Sequence, residues 1–124
     1  MTKILVIDDE LQMRELLKKY LTRAGYEVTL AGDGDEGLRF FQLQPADLVI
    51  TDLIMPEKEG LECIAALKKI DSGIKIIAIS GGGLGKPEGY LELAIKMGAA
   101  KAFIKPFELK ELLAAIRELT ADEG

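Results

Sequence analysis

Residues 4–9 have the sequence ILVIDD, an apolar run that ends in two acids, and this stretch decides the fold. Four consecutive apolar residues are typical of a strand that is buried on both faces. Similar short runs recur along the chain, and longer stretches with helical spacing of apolar residues separate them. The later runs lie at 28–31, 48–50, 75–79 and 102–104. Five alternating strands and helices predict an α/β protein, with a parallel sheet and helices on both of its faces.

The helices are predicted from apolar periodicity and from the residues that end it. They are expected at 13–24, 35–43, 60–70, 88–97 and 109–119. Gly25 and Gly98 follow two of them, and glycine is the residue that most often ends a helix. No linker, repeat or low-complexity segment interrupts the pattern. We therefore expect a single domain over residues 1–124, with a core from about residue 3 to about residue 120.

The composition excludes several classes of protein. The chain has 124 residues, of which 48% are hydrophobic, so it can bury the core of one domain, which argues against disorder. Its net charge of −5 argues against binding to nucleic acid or to an anionic membrane surface. Histidine is absent and Cys63 is the only cysteine, which excludes zinc sites, intrachain disulfides and catalysis by Ser–His or Cys–His pairs. Cys63 is expected to be a core thiol on a helix.

No targeting segment or membrane helix is predicted. The first apolar run is too short for the hydrophobic region of a signal peptide. No stretch approaches the roughly 18 apolar residues of a membrane-spanning helix. We therefore expect a cytoplasmic protein. Because the chain has no histidine and one cysteine, we also expect any metal to be held by oxygen ligands.

Polar side chains follow four of the five predicted strands. Asp8 and Asp9 follow the first strand, Asp52 the third, Ser80 the fourth and Lys105 the fifth. Ligands of open parallel sheets bind at the carboxyl ends of the strands. Because one edge of the sheet receives all of these residues, we expect them to form a functional site there.

Three carboxylates in one place constrain the chemistry of such a site. At roughly 5 Å and an effective dielectric constant of about 20, each pair repels by about 3 kcal/mol, so the site needs cations. Lys105 supplies one positive charge, and Mg²⁺ fits oxygen ligands of this kind. An aspartate carboxylate can attack phosphorus to give an aspartyl-phosphate. A cation and a hydroxyl such as that of Ser80 would then contact the phosphoryl oxygens.

These motifs together resemble the receiver domain of bacterial two-component response regulators. The resemblance covers residues 3 to about 120. It implies a flavodoxin-like, doubly wound sheet with strand order 2-1-3-4-5 and five helices, in three layers. It rests on Asp8-Asp9, on Asp52-Leu53-Ile54-Met55-Pro56 leading to Gly60, on Ser80, and on Lys105-Pro106-Phe107.

The resemblance assigns roles to the acids. Asp52 is the expected phosphoacceptor. Asp8 and Asp9 form an acid pocket for Mg²⁺ or Mn²⁺. Asp9 and Asp52 bind the ion directly, together with the backbone carbonyl of Ile54.

The resemblance also assigns roles to the residues that respond to phosphorylation. Lys105 contacts the phosphoryl group, and Ser80 is the switch hydroxyl that moves toward it. A cis peptide is expected between Lys105 and Pro106, where a proline makes it possible.

The implied function is a phosphoacceptor switch and not a turnover enzyme. A sensor histidine kinase or a histidine phosphotransfer protein supplies the phosphoryl group. Because the chain has no histidine, the donor must be another molecule. The surface of helix 4, strand 5 and helix 5 then controls a downstream protein. We expect a monomer or weak dimer that binds neither nucleic acid nor a membrane.

One position departs from the pattern of the family. Receivers usually have tyrosine or phenylalanine three residues before the lysine, and here that residue is Ala102. The adjacent Phe103 is expected to point to the opposite face of the sheet, because strand side chains alternate. We therefore hypothesise that the signal passes through the glycine-rich segment 81–90, which begins at Gly81.

Two other functions compete with this interpretation. The segment from Gly32 to Gly37 matches the dinucleotide motif G-x-G-x-x-G, although its three acids would repel a pyrophosphate. A phosphohydrolase with an aspartyl nucleophile is the other alternative. Enzymes of that layout usually have a second aspartate two residues after the nucleophile, and here that residue is Ile54. Asp8, finally, is also a candidate for capping the first helix.

Overall fold

A computed structural model describes residues 1–53, 60–81 and 87–121 of the chain, with the backbone alone at 87–90. The described residues form five strands and five helices that alternate along the chain. The predicted α/β architecture is therefore confirmed. None of the described helices has the length and apolar character needed to cross a membrane.

The five strands form one parallel sheet. Their order is β2-β1-β3-β4-β5, which is the predicted order of a flavodoxin-like fold. β1 and β3 lie side by side; from β1 the sheet continues to β2 on one side, and from β3 it continues to β4 and β5 on the other. The strand order therefore reverses between β1 and β3, which is the topological switch point. The strands are β1 (Lys3–Ile7), β2 (Glu27–Ala31), β3 (Leu48–Asp52), β4 (Lys75–Ser80) and β5 (Lys101–Ile104).

The helices agree with the apolar periodicity to within a few residues at their ends. The backbone at Gly25 and Gly98 has positive φ angles of 101° and 122°, as expected for glycines that follow a helix. The helices are α1 (Leu11–Arg23), α2 (Gly34–Leu43), α3 (Gly60–Ile70), α4 (Pro87–Met97) and α5 (Leu109–Thr120).

Two apolar clusters hold helices to the two faces of the sheet. On one face, Leu17 of α1 and Ile116 of α5 pack with alternate residues of the central strands. On the other face, Phe41 of α2, Leu67 of α3 and Ala94 of α4 pack with the intervening residues. The central strands are buried on both sides, which explains their continuous apolar runs. The result is the expected three-layer sandwich.

Two predicted boundaries need correction. The strands β3 and β4 continue through Asp52 and Ser80, so these residues end their strands and do not follow them. The prediction placed the boundary at the end of each apolar run, but backbone pairing continues past it. The polar side chains at these positions are buried, which places them inside the edge of the sheet.

The proposed capping of the first helix by Asp8 is also corrected. The residue that precedes α1 is Glu10, and its side chain forms no capping hydrogen bond. The Asp8 carboxylate instead accepts a hydrogen bond from the Glu10 backbone N–H at 2.8 Å, one residue before the helix. Asp8 thus orders the turn into α1 without capping the helix itself.

Candidate functional site

The ladder between β1 and β3 brings Asp8 and Asp52 together. Ile7 pairs with Thr51 in this parallel ladder, so the residues that follow each of them lie side by side at the carboxyl edge. Asp8 is 2% exposed and Asp52 is 6% exposed. Two aspartates are thus held in a largely buried position, which neither could occupy without charged or polar partners.

Lys105 follows β5, the edge strand of the sheet, and its side chain extends to these aspartates. Ile104 pairs with Ser80 across the β4–β5 ladder, and the Lys105 backbone N–H donates to the Ser80 carbonyl at 2.8 Å. From this anchor the Lys105 Nζ lies 3.2 Å from Asp8 Oδ2 and 3.2 Å from Asp52 Oδ2. It also lies 3.5 Å from Glu10 Oε1. One ammonium group therefore contacts three carboxylates: one directly after β1, one at the end of β3 and one in the turn before α1.

Burial and charged neighbours shift the pKa values of Asp8 and Lys105 in opposite directions. Burial raises the pKa of Asp8 above its ordinary value, although the Glu10 backbone N–H and Lys105 partly offset the effect. Burial alone would lower the pKa of Lys105, but attraction to Asp52 and Asp8 outweighs it and raises that pKa. Lys105 therefore stays charged at neutral pH, while burial makes the charged form of Asp8 less favourable despite its partners.

The carboxylates of Asp8, Asp9 and Asp52 form an acid cluster in which one oxygen of each lies within 4.8 Å of the others. Asp9 is exposed, so the acid cluster opens to solvent on one side. A set of oxygen ligands with excess negative charge suits a hard divalent cation. The residues present thus fit Mg²⁺ or Mn²⁺, since Lys105 supplies a single positive charge against three carboxylates.

The Ser80 hydroxyl lies at the same edge, at the end of β4. It is fully buried, and its Oγ has no hydrogen-bond partner among the residues that the structure describes. A buried hydroxyl usually has a partner, so this one is available to a group that enters the site. The next residue, Gly81, lies against Lys105: a Cβ at Gly81 would be 2.6 Å from Lys105 Cβ and 2.9 Å from its backbone nitrogen.

The cis peptide before Pro106 is present. Ala102 packs against the apolar cluster beneath α2, α3 and α4, whereas Phe103 belongs to the cluster beneath α1 and α5. The prediction that Phe103 points away from the Ala102 face is therefore confirmed. Two other predictions, the Ile54 carbonyl as a ligand and the segment 82–86 as a route for the signal, lie outside the described residues.

The glycine motif at 32–37 forms a helix cap. The Asp33 carboxylate accepts from the Glu36 backbone N–H at 2.8 Å, and the Glu36 carboxylate accepts from the Gly32 backbone N–H at 2.8 Å. The two bonds resemble a capping box at the start of α2, except that Glu36 accepts from Gly32, one residue before the N-cap Asp33. The amides that a pyrophosphate would need at these two positions are occupied by the protein's own carboxylates, which argues against a dinucleotide site.

Three residues near the site had no assigned role in the sequence. Glu10 contacts Lys105, and Arg14 Nη1 donates to the Asp8 carbonyl oxygen at 2.8 Å. A Cβ at Gly60 would lie 2.3 Å from the Asp52 carbonyl oxygen, so only glycine lets α3 begin this close to β3. Glu10 and Arg14 are one helical turn apart, but nothing in this spacing predicts that their side chains face the acid cluster.

Comparisons with known proteins agree with this geometry. The probable transcriptional regulator ycf27 of Cyanophora paradoxa is 41% identical over 117 residues, which are 94% of this chain and 47% of that protein. Chemotaxis protein CheY of Thermotoga maritima is 35% identical over 119 residues, which are 95% of this chain and 97% of that protein. This chain thus spans about half the length of ycf27 and almost all of CheY.

A solved structure gives the same result. A response regulator receiver domain protein from Clostridium thermocellum superimposes with a TM-score of 0.90 at 34% identity, over 99% of this chain and 97% of that one. The sequence also matches the response regulator receiver domain family over residues 4–117. The chain therefore belongs to the receiver domain family of two-component response regulators.

Proposed function

We propose that the protein is a phosphoacceptor switch that receives a phosphoryl group on Asp52 from a phosphohistidine of a partner protein. The observation that carries this proposal is the position of Lys105, whose Nζ lies 3.2 Å from both Asp8 and Asp52 at the carboxyl edge of the sheet. A sensor histidine kinase or a histidine phosphotransfer protein is the proposed donor. The resemblance and the family membership support this choice of partner.

In the proposed reaction, a carboxylate oxygen of Asp52 forms a bond to phosphorus as the bond from phosphorus to the donor's imidazole nitrogen breaks. The nitrogen keeps that electron pair and can take up a proton. Lys105 neutralises charge on the phosphoryl oxygens, and the Ser80 hydroxyl donates a hydrogen bond to one of them. The absence of a hydrogen-bond partner for Ser80 Oγ among the described residues supports its role.

The acid cluster is the proposed site of Mg²⁺, or of Mn²⁺. Asp8 and Asp9 form the pocket, and Asp9, Asp52 and the Ile54 carbonyl are the proposed ligands. The bound cation would offset the repulsion between carboxylates and phosphoryl oxygens, which is the role of metal ions in phosphoryl transfer. Arrangement of the three carboxylate oxygens within 4.8 Å of one another supports this assignment.

The proposed output is a change in the surface formed by α4, β5 and α5, which controls a downstream protein. Several apolar side chains of this surface are exposed, as expected of a surface that binds protein: Leu93, Ile95, Met97 and Ile104. With Ala102 at the usual aromatic position, we propose that Gly81 and the segment after it carry the change. We also propose that residues 1–124 act as one domain, in the cytoplasm, without binding nucleic acid themselves.

Intact-mass measurement after incubation with a small phosphodonor, such as acetyl phosphate, tests the proposal. We expect one phosphoryl group per chain with Mg²⁺, and none with EDTA or in Asp52→Asn. Asp33→Asn is the matched control, because it removes the same charge from a carboxylate that accepts a backbone hydrogen bond instead. An adduct that persists in Asp52→Asn would contradict the proposal. Continuous release of phosphate from unrelated esters would instead indicate a phosphohydrolase.

A further inference from the structure

Arg14 lies near the start of α1, and its side chain turns back toward the acid cluster. Its Nη1 donates to the Asp8 carbonyl oxygen at 2.8 Å. Its backbone N–H donates to the Glu10 carbonyl at 3.1 Å, and this bond closes the first turn of α1. The side chain is half-buried, which shields this contact from competing water.

The contact from Arg14 completes a set of bonds that hold Asp8. The Asp8 backbone N–H donates to the Ala31 carbonyl at 3.1 Å, and its Oδ1 accepts from the Glu10 backbone N–H at 2.8 Å. The Asp8 carbonyl belongs to the peptide group that joins Asp8 to Asp9. Because that peptide group is planar, a bond to its oxygen fixes the direction in which the chain continues to Asp9. The bond therefore helps to position the Asp9 Cα, from which the exposed carboxylate extends.

The guanidinium of Arg14 rests against Gly32. A Cβ at Gly32 would lie 3.0 Å from Arg14 Nη1, which is tight contact for a side chain. The position of Gly32 is itself held, since its N–H donates to Glu36 Oε1 and the Glu36 N–H donates to Asp33. The glycine motif at the start of α2 thus provides a fixed surface beside the metal site, although it binds no nucleotide phosphate in the proposed function.

We propose that Arg14 is a positioning residue for the divalent cation: it holds the Asp8–Asp9 peptide so that the Asp9 carboxylate stays within the acid cluster, with Gly32 as the seat of its guanidinium. This inference rests on the proposed function, because it requires the acid cluster to bind Mg²⁺. Partners that orient metal ligands from outside commonly change metal affinity by about 10- to 100-fold when they are removed. Arg14 makes one such contact, so the lower end of that range applies.

Calorimetric titration of the full chain with Mg²⁺ tests the proposal. We expect Arg14→Ala to bind Mg²⁺ about tenfold more weakly than the wild type. Arg14→Lys should be intermediate, because lysine keeps the charge and a donor but lacks the planar geometry. Arg23→Ala is the matched control: Arg23 is an exposed residue at the end of the same helix, and its removal changes the net charge equally. Its affinity for Mg²⁺ should remain that of the wild type.

A second readout separates positioning from general damage. At saturating Mg²⁺, the rate at which acetyl phosphate modifies Arg14→Ala should approach the wild-type rate, whereas a damaged fold would lower that rate at every Mg²⁺ concentration. Equal Mg²⁺ affinity of Arg14→Ala and Arg23→Ala, with wild-type binding intact, would overturn this inference alone. Failure of the wild type to bind Mg²⁺ would overturn the metal part of the proposed function together with it.

Gly32→Ala tests the contact between Gly32 and the guanidinium without removing Arg14. The added methyl group would displace the end of a flexible side chain, so we expect a smaller loss of Mg²⁺ affinity in the same direction. If Arg14→Ala does not fold, Arg14→Lys and Gly32→Ala decide the matter. Wild-type Mg²⁺ affinity in both of these variants would overturn the proposal.

Discussion

Two groups of acids lie at the carboxyl edge of this sheet, and their carboxylates have different kinds of hydrogen-bond partners. In the loop between β2 and α2, Asp33 and Glu36 each accept a hydrogen bond of 2.8 Å from a backbone N–H within four residues of them. In the acid cluster, Asp8 and Asp52 share Lys105, which follows β5 and is 97 and 53 residues away from them in sequence. The first group completes a helix start, and the second retains excess negative charge.

The difference shows that a group of acidic residues does not by itself identify a functional site. Carboxylates at the first turn of a helix are stabilised by free amides and by the helix dipole, so they need no ion. Carboxylates at the ends of adjacent parallel strands have few free amides nearby and repel one another. Such carboxylates need a cation, and this need supports the metal site proposed for the acid cluster.

The largest effect is expected from removing the cation that lies between Asp8 and Asp52. Lys105→Met leaves these buried carboxylates without that countercharge, and breaking a buried ion pair from one side commonly destabilises by about 3–5 kcal/mol. We expect a loss of about 3 kcal/mol in the free energy of unfolding by urea in EDTA, at the low end because Lys105 is 16% exposed.

A surface ion pair at the start of β5, the strand that precedes Lys105, provides the control for this prediction. Lys101 Nζ lies 3.3 Å from Glu118 Oε2, with both side chains exposed. Exposed pairs contribute about 1 kcal/mol or less, so Lys101→Met should have little effect. Equal losses in the two variants would show that Lys105 is not a buried countercharge.

A smaller effect, of opposite sign, is expected from Asp8→Asn. Because burial raises the pKa of Asp8, its charged form is disfavoured by folding, and each unit of increase corresponds to about 1.4 kcal/mol. Asparagine removes the charge and keeps an acceptor for the Glu10 backbone N–H. We expect the variant to be more stable than the wild type at neutral pH in EDTA and to gain less stability from Mg²⁺. Lower stability in EDTA would contradict the prediction.

The same pKa predicts how stability depends on pH without metal. Below the ordinary value of 3.8, Asp8 is protonated in both folded and unfolded chains and contributes nothing. As the pH rises from there through the raised pKa, the unfolded chain releases its proton first, so this contribution to the free energy of unfolding falls. Urea titrations across this window should therefore show that the stability of the wild type relative to Asp8→Asn falls as the pH rises.

The smallest effect is expected in the loop between β2 and α2. Asp33→Ala removes the acceptor for the Glu36 backbone N–H, and loss of such a cap costs about 1 kcal/mol. Asp33→Asn should cost much less, because asparagine caps nearly as well without a charge. Phosphorylation by acetyl phosphate should persist in both. Loss of phosphorylation in Asp33→Asn would contradict the conclusion that this group of acids serves only the start of α2.

Much of the fold follows from local patterns of residues. Apolar runs such as 4–7 and 48–50 predict buried parallel strands, because a strand covered on both faces has no polar side. Gly25 and Gly98 predict helix ends, because a positive φ strongly favours glycine there. The ends of β3 and β4 are less predictable, since backbone pairing continues past the apolar run to Asp52 and Ser80. Pairing depends on the neighbouring strand and not on the side chain alone.

Residue type and spacing alone predict the order of the elements, the family resemblance and the set of polar residues at the carboxyl ends of the strands. Only the folded chain shows which acids share Lys105, which accept hydrogen bonds from nearby backbone N–H groups, and that Arg14 donates to the Asp8 carbonyl. Coulombic attraction and desolvation depend on distance and burial in space. Residues 97 positions apart in the chain can therefore form one charge network, while acids within a single loop form only a helix cap.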